Sequence, residues 1–365
     1  MIDVPKPTPQ PVPLTFRSDL PDLKATRTEL SAVDHHGRTL FVAHDEATSI
    51  ERLLADDEGG FAFHERFAIG DLFPLPAGDE EIDIEGLAFD PPWLWATGSM
   101  SLKRKRAGDD ETEAEGIADL AKLKVEPNRY TLVRLPCEQE QPGVWRPVAE
   151  TTRDGRTLRA ALLERGEKDN ALTARLHADD HLGPFLEIPS KENGFDIEGL
   201  AAIGDRLLLG LRGPVLRGYA MILDVELTEL DGRLRLANRD GFGQPYRKHF
   251  LDLDGMGIRE VRRDPRSDDL LLLAGPSMDC DGTISLWRVP GGVAADRDTL
   301  RDDAERLFDI VHPNEINHGR DKAEGLAVLE PDADEPPTAL VVYDGPMPER
   351  LIGESGVNAD RYELT

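Results

Sequence analysis

Residues 83–89 read Asp-Ile-Glu-Gly-Leu-Ala-Phe, and residues 196–202 read Asp-Ile-Glu-Gly-Leu-Ala-Ala. Residues 323–328 repeat the motif as Ala-Glu-Gly-Leu-Ala-Val, and looser copies surround Glu29 and Glu260. A motif that recurs along a chain is the sequence signature of repeated structural units. The chain is therefore expected to contain one structural unit for each copy.

Each copy is followed by a short turn and then by a strongly apolar segment, at 40–43, 93–97, 207–211, 270–274 and 339–343. Three of the loops that follow these segments open with Gly-Pro, at 213–214, 275–276 and 345–346. Further alternating segments follow in most units, so each unit is predicted to be a four-stranded meander, the blade of a propeller. The predicted fold is an all-β β-propeller of about five blades, forming one domain over residues 1–365. A strand near residues 13–16 is expected to complete the last blade and close the ring.

The second and third glutamates of the repeat lie 113 residues apart, nearly twice the other intervals. A sixth blade or helical insertions near 109–125 and 154–180 would explain this gap, and we favour insertions. Residues 110–124 have acidic residues first, lysines last and Pro127 just beyond, as a helix would. Residues 156–165 are predicted to form a second helix, with Asp154 as its N-cap and Gly166 as its stop.

The charge and cysteine content exclude several classes of protein. The net charge of −28 disfavours nucleic acid and anionic membrane surfaces as partners. Cys137 and Cys280 are the two cysteines of the sequence, too few for a disulfide framework. The N-terminal residues show no secretory signal pattern, and no apolar run reaches the length of a membrane helix. We expect a cytoplasmic protein.

In a propeller, the start of the innermost strand and the end of the second strand lie on the same face of the disc. The repeated glutamates are therefore expected around one mouth of the central channel: Glu29, Glu85, Glu198, Glu260 and Glu324. The loops of the same face and the strand starts also carry arginines, which are candidates for binding a ligand: Arg104, Arg212, Arg217, Arg259 and Arg350. Because crowded carboxylates cannot all ionise without countercharge, either these arginines or a metal ion must supply it.

Three interpretations of the mouth remain open. In the first, the glutamates are architectural and accept backbone hydrogen bonds or pair with arginines. In the second, they hold Ca²⁺ or Mg²⁺ through oxygen ligands, together with Asp45, Asp83, Asn193 or Asp196. In the third interpretation, the arginines bind a phosphate or carboxylate of a small anionic ligand.

Other constellations are weaker. His312 and His318 flank Asn314 and Glu315, but their spacing matches no strong metal signature. Residues 279–282 read Asp-Cys-Asp-Gly and are predicted to form a turn, because the later glutamate of a calcium loop is missing. No Gly-x-Ser-x-Gly elbow, dinucleotide fingerprint or phosphate-cradling glycine loop is present.

Three motifs carry a resemblance to a known family: the glutamate motif, Gly-Ser-Met-Ser-Leu-Lys-Arg at 98–104, and Leu-Arg-Gly-Pro-Val-Leu-Arg-Gly at 211–218. From about Glu29 to Arg350 the chain resembles the bacterial domain-of-unknown-function family numbered 3616. It departs from that pattern at Met100, where the family has His. More distantly, the Glu-Gly-Leu repeat is similar to propellers described as having esterase-like activity of phytase, and to calcium-dependent lactonase propellers. That likeness implies a metal role for Glu29, Glu85, Glu198 or Glu324.

The sequence therefore predicts an uncharacterised propeller that binds a small anionic ligand at its mouth and, in the second interpretation, a divalent cation, Ca²⁺ or Mg²⁺. Two alternatives are a metal-dependent phosphoesterase or lactonase-like hydrolase and a non-catalytic propeller that binds a protein partner.

Overall fold

Strands dominate the computed structural model, which describes residues 7–44, 47–78, 80–108, 110–166, 168–237, 243–311, 319–330 and 336–364. The chain begins with strand β1 (Gln10–Thr15) and helix α1 (Leu23–Thr28). Four antiparallel strands then form blade 1: β2 (Leu30–His36), β3 (Thr39–His44), β4 (Ser49–Ala55) and β5 (Phe61–Ala68). A short helix α2 (Ile69–Leu72) leads out of the blade.

Blade 2 is interrupted by long insertions. Its first two strands are followed by a hairpin that encloses a helix: β6 (Ile84–Asp90), β7 (Trp93–Gly98), β8 (Lys103–Arg104), α3 (Glu113–Leu120) and β9 (Leu123–Lys124). A 3-10 turn at Pro127–Tyr130 leads to the outer strands and a second hairpin: β10 (Leu132–Gln141), β11 (Val144–Pro147), β12 (Glu150–Arg153), β13 (Arg156–Arg159) and β14 (Ala161–Leu162). Helix α4 (Ala171–Leu176) and a 3-10 turn at Gly183–Phe185 complete the insertion.

Blades 3 and 4 follow with regular meanders. Blade 3 contains β15 (Asp196–Ile203), β16 (Arg206–Leu216), β17 (Tyr219–Leu230), β18 (Arg233–Leu236) and β19 (Tyr246–Asp252). Blade 4 contains β20 (Gly257–Arg263), β21 (Leu270–Gly275), β22 (Ile284–Val289), β23 (Thr299–Arg301) and β24 (Glu305–Val311). Strand β23, which lies between β22 and β24 in the chain, pairs in parallel with β19 and so links blade 4 to blade 3.

Blade 5 is closed by the N-terminus. It contains β25 (Lys322–Leu329), β26 (Thr338–Asp344), a 3-10 turn at Pro348–Arg350, β27 (Leu351–Ile352) and β28 (Gly356–Glu363). Strand β1 pairs antiparallel with β28 along its whole length, from Gln10 to Thr15. The predicted N-terminal closing strand is confirmed, and it covers the edge that blade 5 would otherwise expose.

The inner strands of the five blades form a closed ring. Neighbouring inner strands touch in the cyclic order β2, β6, β15, β20, β25 and back to β2. Glycines permit this close approach: a Cβ on Gly199 would lie 2.9 Å from the backbone nitrogen of Val261. A Cβ on Gly86 would lie 2.7 Å from the side chain of Leu200. The Gly-Leu-Ala part of the motif therefore serves the packing of inner strands around the axis.

The long interval between blades 2 and 3 is filled by insertions. Between β7 and β15, the described residues form β10 and β11 of blade 2, two-stranded hairpins and short helices, with no further four-stranded sheet. Helix α3 confirms the first predicted insertion, although it is shorter and its N-cap is Thr112, which forms a capping box with Glu115.

The second predicted helix, over residues 156–165, is wrong. Residues 150–159 form the hairpin of β12 and β13, and Asp154 and Gly155 occupy its turn with φ of 51° and 74°. An Asp-Gly pair of this conformation is a strong hairpin turn, and it outweighs the helical spacing of the leucines that follow. Helix α4 lies later in the same insertion, where Asn170 caps it through a capping box with Thr173.

Apolar side chains from adjacent blades form the core between the sheets. The closing strand contributes Leu14, which is fully buried. Among the described residues, no helix is long and apolar enough to cross a membrane.

Candidate ligand site at the channel mouth

A cavity of about 1010 Å³ opens at one mouth of the central channel. The described residues that line it come from the starts of inner strands and the residues just before them, from the insertion around β8 and β9, from residues 189–192, from Arg212 in β16, from Asp344 at the end of β26 and from the loop after β21. The strand starts, the ends of the second strands and the loop after β21 lie on the face of the disc on which the repeat is predicted to place them. The predicted face is therefore also the face with a cavity.

A β-bulge at the start of each inner strand directs one side chain toward the axis. The pairing between first and second strands shifts register at one residue in every blade: Ser31, Glu85, Glu198, Arg259 and Glu324. A bulge re-aims a side chain without ending the strand. Four of the five bulge residues line the cavity. The exception is Ser31, whose hydroxyl donates to the carbonyl oxygen of Ile84 at 2.6 Å.

Two of the five nominated glutamates do not occupy this position. In blade 4 the bulge residue is Arg259, and Glu260 follows it at the position that Ala32, Gly86 and Gly199 take in other blades. In blade 1 the equivalent of Glu85 is Ser31, and Glu29 lies two residues earlier, in an isolated bridge with Asp344. Neither Glu29 nor Glu260 lines the cavity. Aligning all five glutamates as equivalent was therefore wrong for these two.

Buried side chains of alternating charge form an arc across the cavity floor. Arg129 pairs with Asp83 at 2.6 Å and donates to the Ser101 hydroxyl at 3.0 Å. Arg212 pairs with Asp196 at 2.8 Å and with Glu198 at 2.6 Å.

The arc continues into blades 4 and 5. Arg259 lies 3.6 Å from Glu198 and 2.9 Å from Glu324. The three arginines of the floor thus supply the countercharge that the crowded carboxylates require.

The floor carboxyls have raised pKa values. Burial raises the pKa of Glu198 to about 7, although Arg212 and Arg259 oppose the rise. Burial also raises the pKa of Asp196. At the edge of the floor, burial and the nearby Glu324 carboxylate raise the pKa of Asp344 to about 6. Near neutral pH the floor therefore holds fewer negative charges than its residue count suggests.

The channel is closed beneath this floor by Arg262. Its guanidinium donates to the carbonyl oxygens of Val33 in blade 1 and Leu200 in blade 3, although it belongs to blade 4. Blades 1 and 4 are not neighbours in the ring, so this side chain crosses the axis. Glu260 pairs with Arg262 at 2.8 Å and accepts the amide of Leu200 at 3.0 Å. Arg262 and Glu260 thus form a plug beneath the floor, so the cavity is blind, with no opening at its lower end.

Exposed lysines and arginines lie around the rim. Arg104, which lines the cavity, pairs with Glu192, its Nη2 lying 3.0 Å from the carboxylate. Four rim cations lie within 4 Å of no carboxylate oxygen that the structure describes, although Lys191 is near enough to Asp344 to oppose the rise of its pKa: Arg106, Lys124, Lys191 and Arg320.

Two nominated arginines lie elsewhere. Arg217 is exposed in the turn between β16 and β17, and it does not line the cavity. Arg350 lies in a smaller cavity of about 210 Å³, where it pairs with Asp321 and Asp360 and stacks over the Tyr343 ring at 3.7 Å. Both positions follow from loop conformations, which the repeat does not encode.

The donor set does not fit a calcium or magnesium site. Within the described ranges, no group of three or more His, Cys, Asp or Glu residues is placed to hold a metal ion. Glu198 and Glu324 are engaged by arginines, and the side-chain oxygen of Asn193 accepts the amide of Val215 at 2.9 Å. Asp45 of the predicted metal shell lies outside the described residues, as does the separate constellation of His312, Asn314, Glu315 and His318.

Sequence reasoning missed Arg129, Ser101 and Arg262. For Arg262 a signal was present, because residues 260 and 262 are opposite charges two apart on one strand and so share a face. Arg129 and Ser101 lie in the insertion, where no repeat signal exists. Met100, which precedes Ser101, is buried in the core with φ 54°, and its sulfur accepts a hydrogen bond from Asn170 at 3.1 Å. Met100 therefore packs beneath the floor rather than lining the cavity.

The ring of blades, the closing strand and the blind charged mouth define a β-propeller with a candidate ligand site on one face. The chain belongs to the family described as protein of unknown function (DUF3616), which matches residues 29–360. No curated protein matches it.

Solved structures with similarity to this chain have low sequence identity. They include the PQQ-bound aldose sugar dehydrogenase of Streptomyces coelicolor, at 12% identity and TM-score 0.35, covering 98% of this chain and 99% of the other. Hydrazine synthase of Kuenenia stuttgartiensis matches at 10% identity and TM-score 0.34, over 93% of this chain. This chain spans 65% of the hydrazine synthase chain. Hsv2 of Kluyveromyces lactis matches at 11% identity and TM-score 0.29, over 93% of this chain and 68% of the other.

Proposed function

We propose that the protein is a binding propeller whose mouth takes a small anionic ligand. One observation carries this proposal: the cavity lining differs in charge from the rest of the chain. The described lining residues comprise eleven lysines and arginines and eleven aspartates and glutamates. The whole chain has 43 basic and 71 acidic residues. Basic side chains are therefore concentrated at the mouth of a strongly acidic protein.

The electrostatics of the mouth favour an anion. Four of the lining carboxyls, those of Glu81, Asp196, Glu198 and Asp344, have pKa values raised by burial, which lowers the negative charge of the lining near neutral pH. The rim keeps cations without carboxylate partners among the described residues, and such groups can bind a phosphate or carboxylate without first breaking an ion pair. The acidic remainder of the surface repels anions elsewhere, so the mouth is the favoured point of entry.

Binding of inorganic phosphate at low ionic strength tests this proposal. A ligand that binds the folded state raises the melting temperature. We expect phosphate to raise it, and we expect the Lys191→Gln and Arg320→Gln substitutions to reduce that rise. Because phosphate also stabilises proteins by exclusion from their surfaces, Arg217→Gln is the matched control. It removes an exposed arginine that does not line the cavity. Equal rises in all variants would refute a phosphate site at the mouth.

A metal-dependent hydrolase was the second function suggested by the sequence. Such an enzyme needs carboxylates free to coordinate a cation, whereas Glu198 and Glu324 are paired with arginines. The anion-binding function is therefore the better supported of the two. Metal analysis and melting with and without a chelator distinguish them. We expect a chelator to leave the melting temperature unchanged, and a marked drop would favour the metal site.

A further inference from the structure

We infer that the ligand of the mouth is a polyol carrying a phosphate or carboxylate group, such as a sugar phosphate or sugar acid. This inference rests on the proposed anion-binding function and names the class of ligand. Two features of the cavity carry it: its size and the alternation of charge on its floor.

The cavity is far larger than an inorganic anion requires. Its volume of about 1010 Å³ lies at the upper end of the range that drug-sized ligands occupy. Because Arg262 closes the channel below, this space is a blind cavity rather than a passage. A simple anion held at the rim would leave most of it filled with water.

The floor suits hydroxyl groups better than any charged group. Its buried ion pairs alternate along the arc that links Arg212, Arg259 and Glu324 through Glu198. A second anionic group on this floor would meet carboxylates, and an ammonium group would meet guanidinium groups. A hydroxyl both donates to a carboxylate and accepts from a guanidinium, so a row of hydroxyls complements an alternating row of charges.

The lining also lacks what other ligand classes need. Among its described residues there is no Phe, Tyr, Trp or His, so no ring is available there to stack on a nucleobase. Its apolar residues stand among twenty-two charged ones, so a wholly apolar molecule would have to desolvate charged groups in order to fill the cavity. The rim has cations that form no salt bridge with a described carboxylate, and the floor has alternating charges, so the complementary molecule has an anionic end and a hydroxylated body.

Matched phosphate esters test the inference on the full chain. Calorimetric titration would compare triose, pentose and hexose phosphates with n-butyl phosphate, which carries the anion without hydroxyls. Glucose and gluconate serve as the anion-free and carboxylate arms. We expect at least one sugar phosphate or gluconate to bind about tenfold or more tightly than n-butyl phosphate, since a site built for hydroxyls discriminates against analogues that lack them. Glucose alone should bind more weakly than its phosphate.

A floor variant separates hydrogen bonding from net charge. Glu324→Gln removes a carboxylate that lines the cavity and pairs with Arg259. The loss of negative charge should tighten n-butyl phosphate, whereas the loss of an acceptor should weaken the preference for the sugar phosphate. The affinity ratio between the two ligands should therefore fall toward one. Glu58→Gln, at an exposed glutamate in the turn between β4 and β5 that does not line the cavity, should leave the ratio unchanged.

The outcomes distinguish the inference from the function on which it rests. If no phosphate ester binds, the proposed anion site is wrong and the inference fails with it. If n-butyl phosphate binds as tightly as every sugar phosphate, the anion site stands and the polyol inference is overturned. An unchanged ratio in Glu324→Gln would likewise overturn the role assigned to the floor.

Discussion

Replacing Arg212 by Met should remove the central countercharge of the cavity floor. The side chain is 10% exposed, and its guanidinium pairs with Asp196 at 2.8 Å and Glu198 at 2.6 Å. Removing one partner of a buried ion pair costs about 3–5 kcal/mol, because the remaining charge stays buried without compensation. Native domains have free energies of unfolding of about 5–15 kcal/mol. The Arg212→Met variant should therefore lose a large fraction of its stability.

The loss should depend on pH in a defined direction. Without the guanidinium, the carboxyls of Asp196 and Glu198 are buried with pKa values further above those of the unfolded chain. The folded state then binds more protons than the unfolded state, so its free energy of unfolding falls as pH rises. We expect a small loss near the unfolded glutamate pKa of about 4.3 and the full loss above the raised folded values.

Urea denaturation at acidic and mildly alkaline pH measures both effects. Arg217→Met is the control, since its exposed side chain should change stability by no more than about 0.5 kcal/mol. Adding Glu198→Gln to Arg212→Met removes one uncompensated charge and should restore part of the stability at alkaline pH. A loss below about 1 kcal/mol, or an equal loss at both pH values, would refute the compensation of these carboxylates by Arg212.

Three further perturbations address the plug, the inner ring and the closing strand. Burial raises the pKa of Glu260 to about 8, so the contribution of this group to stability is lost as pH rises through that value. In the Glu260→Gln variant, the free energy of unfolding should therefore decline less between acidic and alkaline pH. An unchanged slope in urea denaturation would contradict this. Gly199→Ala places a Cβ within 3.0 Å of the Glu260 and Val261 backbone and should lower the free energy of unfolding by about 1–3 kcal/mol. Gly70→Ala is the control, because open space surrounds that position and the loss should be small. Equal melting temperatures of the two variants would contradict the close approach of the inner strands. Leu14→Ala should cost about 2–5 kcal/mol by creating a cavity in the closing strand, while Leu300→Ala, 68% exposed, should be nearly neutral in the same denaturation assay.

The repeat made most of the fold predictable. Each unit shows the same local pattern, a glycine after the glutamate, then an apolar strand and, in three units, a Gly-Pro loop. This pattern predicts the blades because each unit must form and pack in the same way. The closing strand was also predictable, since a blade one strand short leaves an unpaired edge. The hairpin at residues 150–159 was missed because leucine spacing was given more weight than an Asp-Gly turn.

The candidate site was predictable as a face but not residue by residue. Arg104, Arg212, Arg259, Glu85, Glu198 and Glu324 line the cavity as nominated. Whether they bind a ligand stays a prediction. Arg217 and Arg350 are directed away by loop conformations. Arg129 enters from an insertion that no other blade shares.

The sequence alone made the repeated units predictable, together with the ends of their inner strands that face the mouth, because motif and loop recur in register; it left five and six blades as alternatives. Only the tertiary structure decided which side chain of each motif points to the axis. A strand alternates its side chains, so the position of one bulge determines whether a residue faces the cavity or the packing between blades. That single-residue difference places Arg259 among the cavity residues and Glu260 in the plug beneath them.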